Sequence, residues 1–335
     1  MTDSSPTGIL SIVCPAYQEE EALPSFHTTL MAALEPLTAD WELEILYVDD
    51  GSRDGTLGVI RAFAAQDSRV KYVSLSRNFG HQAALSAGLQ YARGDLVVSL
   101  DTDLQHPPAL IPTLVERSRE GFDVVLTIRA DDRRLGWFKR LSSRVFYKVL
   151  AHCSDLDVRA AASDFRLLSR RAVEALLLMP ESHRYLRGMV QWLGFPTAEV
   201  PFEPDVRRIG VSKYTIRRMV RFASDGLYSF SPMPVRLAVG TGLAVSAFSW
   251  ASCLFAILMS VPWADPVARV AVIGLTALHV LVACLLVTAG VVGEYARRVY
   301  IQVKGRPNFV LKETNTDSAV VSVRSGQRLH PPLAA

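Results

Sequence analysis

Two long stretches without a charged residue constrain this 335-residue chain more than any other feature. The first runs from 237 to 264 and the second from 270 to 293, with only a short turn around PWADP between them. About 24 helical residues reach roughly 36 Å, which exceeds the ~30 Å hydrocarbon core of a bilayer. A pair of buried core helices is the alternative interpretation. We predict a transmembrane hairpin with spans at about 237–261 and 269–293.

Positive residues flank both ends of the predicted hairpin. Lysine and arginine are dense at 213–236 and at 297–306, whereas the connecting turn contains only Arg269. The positive-inside rule then places both termini in the cytoplasm, in a multi-pass protein of the inner (plasma) membrane. Residues 213–234 carry apolar positions at helical spacing and predict an amphipathic interfacial helix, with an ordinary surface helix as the alternative. The predicted regions are a cytoplasmic domain (1–212), the juxtamembrane helix (213–234), two spans (235–298) and a cytoplasmic tail (299–335).

Composition narrows the class of protein further. The four cysteines are far apart and form no C-x-x-C pair, which is typical of reduced cysteines used in packing. The first ten residues lack a charged region and a long apolar region, so we expect no cleaved signal peptide. The net charge of +3 comes from local basic clusters, which gives no case for nucleic-acid binding.

Upstream of the spans, short apolar runs alternate with helical segments. This order predicts an α/β domain with a mostly parallel sheet, whose ligands bind beyond the carboxyl ends of the strands. The sequence contains no G-x-G-x-x-G and no G-x-x-x-x-G-K-[ST], so a Rossmann dinucleotide site and a P-loop are disfavoured. The predicted strands are 10–13, 43–48, 70–75, 96–100 and 124–128, and the predicted helices are 23–37, 57–65, 82–91 and 107–120.

Asp101, Asp103 and Gln105 follow the fourth predicted strand, in the segment LVVSLDTDLQ. Because alternate side chains of a strand lie on the same side, we expect the three to converge just past its end. Two carboxylates and an amide oxygen suit a hard cation such as Mg²⁺ or Mn²⁺. A lone D-x-D is more often a simple acidic turn, so the metal interpretation depends on the rest of the chain.

Several further motifs occur at the ends of the predicted strands, and together they carry a family resemblance. They are PAYQEE (15–20), VDDGSRDGT (48–56), SRNFGH (76–81), DTDLQ (101–105) and GVSKY (210–214). With the two C-terminal spans, this set resembles family 2 glycosyltransferases of the GT-A fold. Within that family it is similar to polyprenyl-phosphate glycosyltransferases, such as dolichol-phosphate mannose synthase and bacterial undecaprenyl-phosphate sugar transferases.

The resemblance implies a role for particular residues. It places nucleotide-sugar contacts at Pro15, Tyr17, Glu19, Val48, Asp50, Asp101, Thr102, Arg207 and Lys213. It places the divalent cation on Asp101, Asp103 and Gln105, and the acceptor phosphate on Arg129, Lys139 and Ser143. Asp103, Arg129 and Asp164 are the candidate catalytic residues, with Asp164 either shaping the site or acting as a base.

The function implied is inverting transfer of a sugar from a nucleotide-sugar to polyprenyl (undecaprenyl or dolichyl) phosphate. The resemblance favours UDP-glucose or a related UDP-sugar, Mg²⁺ or Mn²⁺ as cofactor, and a possible homo-oligomer, since relatives can be tetramers. One alternative is a membrane glycosyltransferase that acts on another lipid or on a polysaccharide. A second alternative is a non-catalytic membrane protein that binds a nucleotide-sugar.

Overall fold

The computed structural model describes residues 7–129, 162–181, 184–202, 266–316 and part of 238–251. The predicted juxtamembrane helix and most of the first predicted span lie outside the described residues. Eight strands form one sheet in the order β7-β5-β6-β4-β1-β2-β3-β8. The strands are β1 (Gly8–Ala16), β2 (Trp41–Asp49), β3 (Val70–Leu75), β4 (Leu96–Ser99), β5 (Val124–Arg129), β6 (Ala162–Ser169), β7 (Thr197–Phe202) and β8 (Leu311–Thr314).

Seven helices accompany the sheet in the described part of the chain. They are α1 (Leu23–Leu34), α2 (Thr56–Gln66), α3 (His81–Tyr91), α4 (Ile111–Arg119), α5 (Arg170–Leu178), α6 (Leu186–Trp192) and α7 (Pro266–Val303). Short 3₁₀ turns cover Glu35–Leu37 and Pro108–Leu110. Described residues between 238 and 251 are also helical.

Helices cover both faces of the sheet, which explains why the central strands are apolar throughout. One buried cluster joins the sheet to α1, α2 and α4, through residues such as Phe26, Ile60 and Leu114. A second cluster on the opposite face joins it to α3, α5 and α6, through Leu85, Leu176 and others. Strands buried on both faces need near-continuous apolar runs rather than alternation, and β1 and β4 have them.

The mostly parallel sheet predicted from the sequence is confirmed. Strand β1 pairs in parallel with β2 and β4, β2 with β3, and β5 with β7. All nine predicted strands and helices are present, with shifts of a few residues at their ends. Strands β6, β7 and β8 were not predicted. Strand β6 runs antiparallel between β4 and β5, which brings its first residues to the carboxyl edge of the sheet.

Helix α7 carries the second predicted span. Its segment Val280–Val303 is long and apolar enough to cross a bilayer, with a mean hydropathy of 1.6, and it is 0% buried. It is the one such helix among the residues that the structure describes. Large apolar side chains are exposed along α7, including Val270, Leu278, Leu285, Leu286 and Val299. A continuous apolar surface of this kind is typical of contact with lipid or with another protein.

After α7 the chain returns to the sheet. Strand β8 pairs antiparallel with β3, with Val73 opposite Thr314 and Ser74 opposite Glu313. Near the helix end, the side-chain amide of Gln302 donates a hydrogen bond to the Pro180 carbonyl at 2.7 Å. Residues 311–314, which the sequence placed in the C-terminal tail, therefore form the outer strand of the sheet.

Candidate active site

The candidate site occupies the carboxyl edge of the sheet, where the loops after β1, β2, β3 and β4 meet. The start of β6 joins them because the Ser99 hydroxyl, at the end of β4, donates to the Asp164 carbonyl at 2.7 Å. Of the residues predicted for the site, those described lie along this edge. Lys139, Ser143, Arg207 and Lys213 lie outside the described residues, and of Arg129 only the backbone, at the end of β5, is described.

A turn, rather than the strand itself, positions the predicted metal ligands. Strand β4 ends at Ser99, so the alternation of strand side chains does not reach Asp101. The Asp103 carboxylate instead accepts a hydrogen bond from the Gln105 amide at 3.1 Å, and Leu104 between them has a φ of 60°. Buried Thr102 anchors the turn to β1, because its hydroxyl donates to the Pro15 carbonyl at 3.2 Å. The prediction that strand alternation brings Asp101, Asp103 and Gln105 to the same side is therefore wrong, because the strand ends before them.

Two histidines flank Asp101. His81 Nε2 lies 3.3 Å from Asp101 Oδ1, and His106 Nδ1 lies 3.6 Å from Asp101 Oδ2. His106 is buried against the rings of Phe165 and Phe202. Partial burial lowers the pKa of His81, but the negative charges of Asp101 and Asp164 outweigh this effect and raise its pKa to about 9. His81 therefore lies between two carboxylates, 3.3 Å from Asp101 and 3.6 Å from Asp164.

The donor set of this turn fits a divalent cation. Asp101, Asp103 and Gln105 supply hard oxygen atoms and are all partly accessible to solvent, so a cation could also contact ligand oxygens there. No cluster of three or more His, Cys, Asp and Glu side chains suited to a metal occurs within the described ranges. Any cation held here therefore needs amide and substrate oxygens in addition to the two carboxylates.

Asp164 is held by a network of positive side chains. Its Oδ1 accepts hydrogen bonds from Arg166 at 2.6 Å and from Arg187 at 3.1 Å. Its Oδ2 accepts from Arg187 at 2.8 Å and lies 3.6 Å from His81 Nε2. Burial raises the pKa of this carboxyl, but Arg187, His81 and Arg166 outweigh burial and hold the pKa well below its usual range. A carboxylate that is so stable as an anion is a poor general base.

The loops after β1 and β2 are fastened to each other. The backbone amide of Gln18, which has a φ of 54°, donates to the Ser52 hydroxyl at 3.1 Å. The amide of Glu19 donates to the Thr56 hydroxyl at 2.9 Å. Below them, Pro15 and Val48 are direct partners in the β1–β2 register, and Val48 is 0% exposed. Val48 therefore supports the site from beneath.

Asp50 holds the loop after β3. Its two carboxylate oxygens accept hydrogen bonds from the amides of Phe79 and Gly80, at 2.7 Å and 2.9 Å. The residue is 3% exposed, and burial raises its pKa although the two amide donors oppose this. The sequence predicts a nucleotide contact for Asp50; the structure shows in addition that it fixes the backbone at the start of α3.

A cavity of about 290 Å³ lies at the outer part of the carboxyl edge, beside β2, β3 and β8. Its lining includes Tyr17, Ser52, Arg77, Asn78 and Lys312. The Arg77 guanidinium stacks on Phe79, 4.0 Å from the ring centre. Tyr17, one of the predicted nucleotide contacts, thus lies beside a cavity that offers aromatic, hydroxyl, amide and cationic groups.

The structure adds residues that the sequence did not assign to the site. His81 and Arg77 are within the SRNFGH motif, which was recognised without a role for either residue. Arg187 is far from every motif and reaches Asp164 only through the packing of α6. Lys312 was placed in the C-terminal tail, and no motif marks it. Arg187 and Lys312 reach the site through contacts between segments that are distant in the sequence, and such contacts leave no local sequence motif.

Comparisons with known proteins agree on one family. The model of Glycosyl transferase family 2 matches residues 11–177. An uncharacterized glycosyltransferase of Synechocystis is 36% identical over 304 residues, which cover 91% of this chain and 95% of the relative. A bactoprenol glucosyl transferase of Shigella phage SfII is 36% identical over 306 residues, covering 91% of this chain and 98% of that protein.

Among solved structures, the chain is similar to a mannosyltransferase from Pyrobaculum calidifontis in complex with GDP-Man and Mn²⁺. The two are 17% identical, with a TM-score of 0.47, over 90% of this chain and 89% of that one.

Proposed function

Because this chain belongs to the family 2 glycosyltransferases, we propose that it transfers a hexose from a nucleotide-sugar to a polyprenyl phosphate at a membrane. The observation that carries the proposal is the near full-length match to bactoprenol glucosyl transferases, at 36% identity. These relatives are named for a glucosyl group and a polyprenyl lipid, so UDP-glucose or a related UDP-sugar is the proposed donor. The acidic turn at 101–105 supports the assignment of a nucleotide-sugar donor, and exposed helix α7 supports the assignment of a lipid acceptor.

In the proposed reaction, an oxygen of the lipid phosphate attacks the anomeric carbon with inversion. The bond from that carbon to the donor diphosphate breaks, and the nucleoside diphosphate leaves. A phosphate monoester has a second pKa near 6, so the acceptor is largely a dianion at cytosolic pH and needs no strong base. The paired state of Asp164 is consistent with this mechanism.

The chain's own residues position the reactants. Asp101, Asp103 and Gln105 would hold a divalent cation, Mg²⁺ or Mn²⁺, which when bound stabilises charge on the departing diphosphate. Tyr17, Glu19, Asp50 and Thr102 contribute to the donor side, and we propose that Arg207 and Lys213 close over the diphosphate. Arg129, Lys139 and Ser143 are the proposed ligands of the acceptor phosphate, for which a guanidinium fork has matching geometry.

The position of β8 supports two membrane crossings. Strands β3 and β8 belong to one sheet, so they lie on the same side of any membrane. The chain that leaves β7 at Phe202 and returns at Leu311 therefore crosses an even number of times. If α7 crosses once, one further crossing lies between 203 and 265, which contains the first uncharged stretch. We propose that the catalytic domain faces the cytoplasm.

The test is transfer of label from a nucleotide-sugar to a lipid. Membranes containing the protein, supplied with undecaprenyl phosphate and a panel of labelled nucleotide-sugars, should give a chloroform-soluble, acid-labile product. Chelation of divalent cations should abolish transfer, and Mg²⁺ or Mn²⁺ should restore it.

Asp103→Ala should abolish transfer while the protein still inserts, and Asp103→Asn, which keeps an acceptor for the Gln105 amide, should do the same. The control is Asp40→Asn, which should retain activity because the Asp40 carboxylate is exposed and pairs only with Arg119 among the ion pairs described. Full activity of the Asp103 variants would refute the metal assignment. Absence of a labelled lipid with every donor would refute the proposed function.

A further inference from the structure

Strand β8 adds a residue to the donor side of the site, although it follows the apolar helix α7 in the chain. The Ser76 amide donates to the Val310 carbonyl at 2.8 Å, which continues the β3–β8 pairing to the carboxyl end of β3. Glu313 accepts a hydrogen bond from Arg61 Nε of helix α2 at 2.9 Å. The pairing of β3 with β8 is irregular at this point, because Ser74 lies opposite Glu313 whereas Leu75 lies opposite Leu311. Lys312 is therefore the extra residue of a β-bulge, and it lines the cavity.

The cavity is displaced from the acidic turn along the sheet. Strand β4, which precedes the turn, is separated from β3 by β1 and β2. Three strand spacings of about 4.8 Å amount to about 14 Å. A donor whose diphosphate lies at 101–105 can therefore place its nucleoside over β2 and β3. On the other side of β4, the network around Asp164 occupies the edge.

We propose that Lys312 is a donor-binding residue that contacts the nucleoside end of the nucleotide-sugar. Its ammonium has three donors and no acceptor, which suits the carbonyl oxygens of a base or the hydroxyl oxygens of a ribose. Within the described part of the chain, Lys312 takes part in no ion pair or hydrogen bond, and its side chain is exposed at the cavity. Tyr17, Ser52 and Asn78 line the same space.

This inference rests on the proposed function only for the nature of the donor. It also implies that β8, the strand that follows the membrane helix in the sequence, completes the nucleotide site. Residues that precede the apolar helix α7 in the sequence and a residue that follows it would then belong to the same donor site.

Direct binding tests the proposal without requiring transfer. Calorimetry on the full chain in detergent, with Mn²⁺ present, compares Kd values for UDP and for inorganic pyrophosphate. Lys312→Ala should weaken UDP binding between about twofold and about tenfold, the range expected for loss of one hydrogen bond. Pyrophosphate binding should not change, and Lys312→Arg should restore most of the affinity for UDP.

Glu313→Gln is the matched control, because Glu313 is the next residue of the same strand, contacts Arg61 of α2 and is not among the residues that line the cavity. Its Kd for UDP should equal that of the wild type. Equal weakening by the Lys312 and Glu313 variants would mean that only the strand matters, and would overturn the proposal. Equal loss of pyrophosphate binding would reassign Lys312 to the phosphates and also overturn it. A wild-type protein that binds UDP but transfers no sugar would refute the proposed function alone.

Discussion

Asp164 accepts hydrogen bonds from two guanidinium groups and lies beside His81, so its negative charge is committed to organising the site. Arg166 is 2% exposed and depends on this carboxylate for compensation of its charge. Removing one member of a buried ion pair leaves the other charge without compensation in a medium of low polarity. If Asp164 has a structural role, its removal should therefore destabilise the protein, whereas the loss of a catalytic base alone would lower activity without this loss of stability.

Asp164→Asn should lower the free energy of unfolding by about 3–5 kcal/mol, the usual cost of breaking a buried ion pair. Chemical unfolding of the purified protein in detergent measures this. The control Asp40→Asn removes an ion pair whose side chains are about half exposed, and should change stability by less than about 1 kcal/mol. An Asp164→Asn protein that is as stable as wild type but has lost kcat would instead indicate a catalytic base.

The same substitution has a defined pH dependence. A carboxyl whose pKa is depressed by folding stabilises the native state fully above its unfolded pKa of about 3.9. That stabilisation is lost as the pH falls through the depressed native value. The difference in unfolding free energy between wild type and Asp164→Asn should thus shrink below about pH 4. It should also shrink as the pH rises from about 6.5 through about 9, because Asp164 helps to raise the pKa of His81 and that contribution is lost there.

At the scale of elements, the loop after β2 depends on one glycine. Gly51 has a φ of +64°, and a Cβ there would lie 2.6 Å from the Arg77 Cα, in conflict with the backbone of the next loop. The two loops approach closely because Asp50, the preceding residue, binds the amides of Phe79 and Gly80. The wall of the cavity is therefore specified by backbone conformation as well as by side chains.

Gly51→Ala should destabilise the protein by about 1–3 kcal/mol, because it adds backbone strain and displaces Arg77. Binding of UDP should weaken in the same variant. Gly58→Ala in helix α2 is the matched control: nothing lies within 4 Å of its added Cβ, and the change should stabilise the helix by about 0.5–1 kcal/mol. Thermal unfolding of both variants decides the matter, and equal melting temperatures would contradict the strain argument.

The sequence predicted the elements that have a local signature and missed those that depend on distant partners. Strands β1 to β5 and helices α1 to α4 have apolar runs or helical periodicity of their own. Strand β8 has four residues, LKET, and becomes a strand only because β3 offers an unpaired edge. Likewise, DTDLQ marked the acidic turn, but the pairing of Asp164 with Arg187 joins residues from β6 and α6.

At the scale of the whole molecule, helix α7 exposes a long apolar surface within the part of the chain that the structure describes. A water-soluble protein would bury such side chains, whereas a bilayer solvates them. Lipid tails with many methylene groups leave a bilayer only at high cost, about 0.8 kcal/mol for each one exposed. In the proposed function, α7 would therefore act as a membrane helix that brings the catalytic sheet to its acceptor.

The full chain should remain in the membrane pellet after alkaline carbonate extraction. Leu285→Lys with Leu286→Lys should reduce the integrated fraction, because each lysine at the centre of a span costs about 3 kcal/mol. Val299→Lys is the control: Val299 is also exposed, at 60%, but lies near the helix end. Release of the wild-type protein by carbonate would contradict a transmembrane role for α7.

The antiparallel pairing of β3 with β8 also bears on how the protein is made. Translation reaches Leu75 long before Leu311, and at about 5–20 residues per second the delay is roughly 10 to 50 s. During that interval the edge of β3 is bare on the nascent chain, and bare edges invite aggregation. If the apolar segments insert as proposed, β8 reaches β3 only after their insertion, so failed insertion should leave the edge of β3 unpaired and the polypeptide prone to aggregation.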